Sequence, residues 1–198
     1  MQNYNLLELS KALNKPEYVL FPEISAQNGA AIRQSPLYSE LDSLARSELG
    51  MEIAELPYSF YKLYGQTGSR SEFEEVYFAR RHRLYRAAAM AIAGHSEFID
   101  DVQNIMWAIC GEFTWAFPAH MCGRENDVVL PPQPSEDGYI YAQDKSLDKR
   151  VDLFAAQTAA ALAEVCYLLE NKLDAMVKYR VRSEIRVRVL DQFIRVHG

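Results

Sequence analysis

The chain has 198 residues, 49% of them hydrophobic, which is enough for one domain with a sizeable core. Its 21 basic and 27 acidic side chains leave a net charge of −6, which argues against general nucleic-acid binding. Three cysteines, Cys110, Cys122 and Cys166, cannot all pair within one chain, and without a CxxC or CxxxH spacing they argue against a disulfide framework and a structural zinc site.

The start, Met1 to Glu8, lacks the basic and apolar regions of a secretory signal, and no apolar run approaches a membrane span. The chain as given therefore reads as soluble and cytoplasmic, with no membrane or nucleic-acid partner. Residues 4–13 read as a short helix, and residues 14–34, with Pro16, Pro22 and Gly29, as irregular. Ser35-Pro36 is expected to start a helix, with serine as N-cap and proline in the first turn. Leu37, Leu41, Leu44 and Ala45 form its buried stripe and Gly50 ends it. Residues 57–65 suggest a short aromatic helix.

Ser71-Glu-Phe-Glu74 fits a capping box, and the helix it opens is expected to reach Ala93. Phe73, Val76, Tyr77, Leu84, Ala88 and Ile92 make its apolar face, and Gly94 closes it. Ser96 caps the next helix, whose stripe is Phe98, Ile99, Val102, Ile105, Met106 and Ile109. The short link makes the two an antiparallel pair. Residues 116–147 form a long connection interrupted by Pro118, Pro131, Pro132 and Pro134, with a turn at Asp137-Gly138 and a short strand at Tyr139–Tyr141. Asp148 caps a helix over 149–170 that is apolar on most sides, the pattern of a helix buried between neighbours. A last helix covers 172–196, with Leu173, Met176, Val177, Val181, Ile185, Val189 and Phe193 inward. The expected architecture is one all-α domain of antiparallel helical hairpins, an incomplete (α/α) toroid.

The candidate site is the stretch Asn104 to His120, where a helix gives way to a loop among aromatics. Trp107 and Trp115 are candidates for stacking on sugar rings; core filling is the stronger reading for Trp107 and the two readings balance for Trp115. Glu112 and His120 have the chemistry of an acid/base pair, or else Glu112 holds backbone amides and His120 caps a helix. Arg80, Arg81, Arg83 and Arg86, and the row Lys178, Arg182, Arg186 with Arg188, read mainly as solvated faces with ion pairs such as Glu184 with Arg188. Asp152 serves its helix dipole, and the cysteines are small buried hydrophobes. No GxSxG, P-loop, HExxH or dinucleotide fingerprint is present, so no cofactor or metal is called for.

Trp107-Ala-Ile-Cys-Gly-Glu112 followed by Trp115-x-x-Pro118-x-His120 resembles a motif of heparinase II/III-like proteins. The segment Val151-Asp-Leu-Phe-Ala-Ala-Gln-Thr-Ala-Ala-Ala-Leu-Ala-Glu164 and the register of Leu173 to Leu190 are similar as well. The resemblance covers residues 70–195. It implies early helices of an (α/α) toroid in a polysaccharide lyase that acts on uronic-acid polymers by β-elimination, with an acidic polysaccharide or oligosaccharide as partner. The resemblance then implies Glu112 and His120 as catalytic residues and Trp107, Trp115 and Arg188 as substrate contacts. The closing β-sandwich and the later proton-transfer residues of such lyases have no counterpart in this chain, so a complete catalyst is not expected. A non-catalytic carbohydrate-binding module, or one that self-associates as a homodimer, is the alternative; a toroid glycoside hydrolase fragment ranks third, because Glu112 has no partner carboxylate in view.

Overall fold

A computed structural model describes residues 26–121 and 151–197, together with Lys11. The helix expected over 4–13, most of the irregular stretch 14–34, the 122–147 connection with its turn and strand, Cys122 and the Asp148 cap lie outside the described residues. Those residues form helices α1 (Ala26–Arg33), α2 (Tyr38–Glu48), α3 (Tyr58–Thr67), α4 (Ser71–Ile92), α5 (Ile99–Cys110), the short α6 (Pro118–Met121), α7 (Leu153–Leu168), α8 (Ala175–Ile185) and α9 (Asp191–His197). A 3₁₀ turn, Ser96–Phe98, leads into α5, and a π turn, Arg186–Leu190, joins α8 to α9. No strand occurs among the described residues, so the all-α expectation holds.

The α4–α5 hairpin is the centre of the fold. Gly94, at φ 107°, supplies the left-handed residue that reverses the chain. Contacts then pair earlier α4 residues with later ones beyond the turn: Arg83 with Asp101, Arg81 with Glu112, Tyr77 with Trp115. The two arms are therefore antiparallel. Leu84, Met90, Val102, Ile105, Met106 and Ile109 are fully buried between them and their neighbours. Burying such side chains stabilises by about 1.5–3 kcal/mol each.

The second hairpin, α7 and α8, lies on the first in the same direction. Tyr77 and Arg81 of α4 meet Phe154 and Thr158 of α7, and the Ala91 carbonyl further along accepts from Lys172. Gln103 of α5 accepts from the Asp174 amide, and Arg180 of α8 lies over Trp107. Each arm of the second hairpin thus runs parallel to its counterpart in the first.

Several local expectations change. Ala26–Arg33 is helical where an irregular chain was expected. Its Gly29 sits so close to the end of α4 that a β-carbon would lie 2.8 Å from the Ile92 carbonyl oxygen, and Arg33 donates to the Ala93 carbonyl. Helix α2 begins at Tyr38; Ser35 accepts from the Leu37 amide in the preceding turn instead of capping the helix. Leu37 and Leu44 are exposed, while Tyr38, Leu41 and Ala45 face the core. The Ser71–Glu74 capping box does not form. Ser71 is already helical, and Ser69 donates to Glu72 instead, which also leaves that carboxyl below its ordinary range.

Helix α7 starts at Leu153 with Asp152 as its N-cap, the carboxylate accepting from the Ala155 amide at 2.7 Å. It is not apolar-buried on all sides: Leu153, Ala156, Ala160, Ala163 and Tyr167 form an exposed row opposite the buried Ala155, Thr158, Leu162 and Val165. In the last helical run Leu173, Val177 and Val181 are buried, but Met176 and Phe193 are exposed.

Candidate functional site

The turn after α5 carries the residues singled out in the sequence, and the geometry of α4 determines what they do. Arg81 lies four residues after Tyr77 and three before Leu84, so it belongs to the inward face of α4. Its guanidinium packs on the Tyr77 ring, 3.2 Å from the centroid, and grips Glu112 with both terminal nitrogens at 2.9 and 2.7 Å. Arg80 adds a third bond to Glu112 at 3.1 Å and donates to the Ala54 carbonyl at 2.7 Å. All three side chains are more than nine-tenths buried.

Glu112 is thus the anion of a buried ion-pair triad, and its oxygens are engaged with arginine donors. This geometry serves structure and does not hold a carboxyl ready for proton transfer. The expected solvated face of Arg80, Arg81 and Arg83 is likewise corrected. All three are buried, and Arg83 pairs with Asp101 at 2.5 Å while donating to the carbonyls of Met51 and Glu52. Arg86 pairs with Glu48 at 2.7 Å.

The structure decides the balanced reading of Trp115 and reverses that of Trp107. Trp115 is 1% exposed and donates its indole N–H to the Ile109 carbonyl at 2.9 Å, closing the turn against its own helix. No sugar can stack on it while the core is intact. Trp107, expected to fill core space, is 45% exposed and carries the Arg180 guanidinium 4.0 Å above its ring. Arg188, a tentative substrate contact, is turned inward. It pairs with Glu184 at 2.6 Å, donates to the carbonyls of Phe113 and Cys110, and lies 5.1 Å from the Trp115 ring centroid.

His120 stands apart from Glu112 functionally. Its Nδ1 is 2.6 Å from Asp152 Oδ2, the same oxygen that accepts from the Phe117 amide. Asp152 therefore does more than complement a dipole: it ties α6 and the preceding turn to the start of α7. Phe117 and Phe154 stack at 3.8 Å beside it. The two segments that carry the family resemblance meet at this point. Tyr77 seals the junction from below, its hydroxyl within 3.2 Å of Trp115 O, Phe154 O and Thr158 Oγ1.

An open pocket of about 240 Å³ lies on the other side of the turn. Leu56, Tyr58, Tyr61, Phe73 and Phe113 form its apolar walls, and Glu112 and Thr114 its polar end. Tyr61 packs edge-on against Phe73 and Phe113 and stacks with Tyr58. Tyr58 and Phe113 are 59% and 49% exposed, so the rim is aromatic. Of the candidate stretch Asn104 to His120, Glu112, Phe113 and Thr114 reach this pocket. Tyr58 and Tyr61, missed as site residues, come from the dense Tyr58-Ser-Phe-Tyr-Lys-Leu-Tyr64 run, whose aromatic content was the available signal.

Among the described residues no group of three or more histidine, cysteine or acidic side chains is placed to hold a metal ion, and no helix is long and apolar enough to cross a membrane. Cys110 and Cys166 are buried free thiols. Neither the scan against family models nor the search of the curated proteins finds a match to this chain.

Two predictions follow from these buried groups. Removing the shared carboxylate by Glu112→Ala leaves two guanidiniums buried without their counter-ion and lowers the unfolding free energy by about 3–5 kcal/mol. Arg182→Ala, which breaks an exposed pair with Glu170, changes it by less than about 1 kcal/mol; denaturant titration of both variants makes the comparison, and equal small losses would contradict the triad's role. Burial pushes Tyr77 and Cys110 up to about 12 each, from ordinary values of 10.0 and 9.0. A group raised on folding gives its stability in full below the unfolded value and loses it as pH climbs through the folded one. Stability is expected to decline from about pH 9 to 12, and Tyr77→Phe to flatten the part above pH 10, as read by denaturant midpoints along an alkaline series.

Proposed function

We propose that this chain is a helical-hairpin portion of a heparinase II/III-like polysaccharide-lyase architecture that supplies scaffold and a ring-binding pocket and leaves the elimination chemistry to other parts of such a protein. The pocket walled by Tyr58, Tyr61, Phe73 and Phe113 beside Glu112 is the observation that carries the reading. Aromatic faces on a concave rim suit a flat or puckered ring. Glu112, occupied by two arginines, offers no free acid, and Trp115 offers no exposed face. The resemblance at residues 107–120 and 151–164 supports the family part of the proposal.

Titration with single-ring ligands, followed by NMR shifts of Tyr58 and Phe113, tests the pocket. Tyr58→Ala and Phe113→Ala are each expected to weaken binding about tenfold or more while leaving the helical circular dichroism intact. Unchanged affinity in both variants would refute the pocket. The scaffold part is tested with uronate polysaccharides: this chain alone is expected to generate no absorbance from unsaturated product, and turnover by it would overturn the assignment.

A second reading, self-association, is favoured by a separate observation. The second hairpin presents exposed apolar rows, Leu153, Ala156, Ala160 and Ala163 on α7, and Met176 and Tyr179 on α8 with Val187 and Leu190 in the π turn that follows. Small residues at a three-and-four spacing let another helix approach closely. Sedimentation velocity is expected to show a concentration-dependent dimer that Ala160→Glu abolishes; a monomer across the micromolar range would exclude this use of the face.

A further inference from the structure

The arm from Ala175 to Leu190 carries five basic residues against one acid, in a chain whose net charge is −6. Arg182, Arg186 and Arg188 each have a carboxylate partner, in Glu170, Asp191 and Glu184. Arg180 has no hydrogen bond and no ion pair among the described residues; its guanidinium rests 4.0 Å above the half-exposed ring of Trp107. We propose that Arg180, held on Trp107, is a recognition site for the carboxylate of a uronic-acid saccharide. The saccharide part rests on the proposed function and adds to it the group that reads the sugar's charge, at a place the aromatic pocket does not include.

A structural duty for Arg180 has to be weighed first. A β-carbon at Gly111 would lie 3.7 Å from Arg180 Nη2, so the guanidinium stands at the C-terminal end of α5. An arginine in that place ordinarily bonds the last carbonyls of the helix. Here those carbonyls are already taken. The Trp107 and Ala108 oxygens accept from the Gly111 amide, the Ile109 oxygen from the Glu112 amide and the Trp115 indole, and the Cys110 oxygen from Arg188. The end of the helix dipole favours a cation nearby without consuming its donors. The five N–H groups of Arg180 are therefore left to solvent or to a ligand.

The charges of the corner select the ligand. Glu184, Arg180 and Arg188 all act on the buried Cys110 thiol, which places them together at this end of α5. Glu184 is held by Arg188 at 2.6 Å, so the three leave one positive charge in excess. The indole attracts the guanidinium through its π-face and occupies none of its hydrogen bonds. The fork can then meet both oxygens of a carboxylate at once. Exposed ion pairs are weak in part because two mobile side chains must be ordered to form them; Trp107 already restrains this one, which lowers that cost. A uronate brings one carboxylate on each ring. The exposed part of the indole and the bare backbone of Gly111 leave room for the sugar that carries it.

Titration of the full chain with tetragalacturonate, followed by nitrogen NMR shifts of the Trp107 indole and the Arg180 side chain, tests the site. The fully methyl-esterified tetrasaccharide, acetate and inorganic phosphate are the comparison ligands. Tetragalacturonate is expected to bind about tenfold or more tighter than its ester. Arg180→Gln is expected to remove that difference and to leave the denaturant midpoint unchanged. Arg180→Lys, which keeps the charge and loses the fork, is expected to recover only part of it. Acetate or phosphate binding at Arg180 as tightly as the tetrasaccharide would overturn the saccharide assignment. Unchanged tetragalacturonate affinity in Arg180→Gln would overturn the site; loss of that binding in Tyr58→Ala would then leave the aromatic pocket of the proposed function standing. Absence of tetragalacturonate binding by the parent chain would overturn both.

Discussion

The fold depends on a row of arginines that a single helix drives into the interior. Arg80, Arg83 and Arg86 recur every third residue along α4 and reach the chain between α2 and α3, bonding Ala54, Met51 and Glu52 carbonyls and the Glu48 carboxylate. Arg81 and Arg80 turn to Glu112, and Arg83 to Asp101 on α5. One helix thereby holds an otherwise irregular segment on one side and the returning arm of its own hairpin on the other. Desolvating so many ions is costly, and an apolar replacement of similar shape is often as stable. What the ions add is direction. A guanidinium fork meets a carboxylate at one angle and one height, so the register between α4 and the turn after α5 is held by bonds as well as by the looser preferences of leucine and isoleucine packing.

The turn at residues 110–117 is fixed from three directions as a result. The arginine pair pulls Glu112 toward α4, Trp115 bonds back to Ile109, and Arg188 reaches from the π turn to the carbonyls of Cys110 and Phe113. Phe113, between these anchors, is left pointing outward against Tyr61. A rim held this firmly loses little further freedom when it binds, which lowers the entropy that association must overcome. The same bonds that withdraw Glu112 from proton transfer prepare its neighbour as a wall of the pocket. The buried triad and the pocket wall are one arrangement seen from two sides.

The sequence made much of this legible, and the misreadings have physical causes. Apolar periodicity located α4 and α5 and their shared core because Leu84, Val102, Ile105 and Ile109 sit at plain helical spacing. Charge was the poorer guide. A cluster of four arginines within seven positions looks like a wet surface, since each costs too much to bury unless paired. Their partners, Glu112, Asp101 and the carbonyls of residues 51–54, are distant in sequence. One clue was present: Arg81 occupies the same stripe as Tyr77 and Leu84, a position that faces inward whatever fills it. Trp107 misled, and Trp115 stayed undecided, for a related reason. Trp107 lies on a helix, which suggests burial, yet it falls on the side of α5 away from Ile105 and Ile109. Trp115 lies in a turn, which suggests exposure, yet a large ring with one donor suits a buried corner that presents one carbonyl. Local conformation does not decide burial when the partner comes from another hairpin.

The relation between the two hairpins gives this arrangement its wider consequence. The arms of the second follow those of the first in the same direction, and Phe117, Phe154, Asp152 and Tyr77 join them at one end. A hairpin laid on its predecessor in this way must show its far side to whatever comes next. On α7 that side is Leu153, Ala156, Ala160 and Ala163, and along α8 and the π turn after it the side includes Met176, Tyr179 and Leu190. An isolated surface helix ordinarily keeps its solvent side charged; these two keep substantial apolar surface there. The first hairpin carries no such row on the side it gives to the second, because Thr158, Leu162 and Val165 already cover it. The pattern is that of a stack covered at one step and uncovered at the next. The uncovered step lies beyond α7 and α8, while the aromatic pocket is formed by Leu56, α3, Phe73 of α4 and the turn after α5. Addition of a further helical layer, from another copy or another segment, need not displace any of the residues that wall the pocket. The exposed apolar rows and the aromatic pocket therefore occupy separate faces of the same small set of helices.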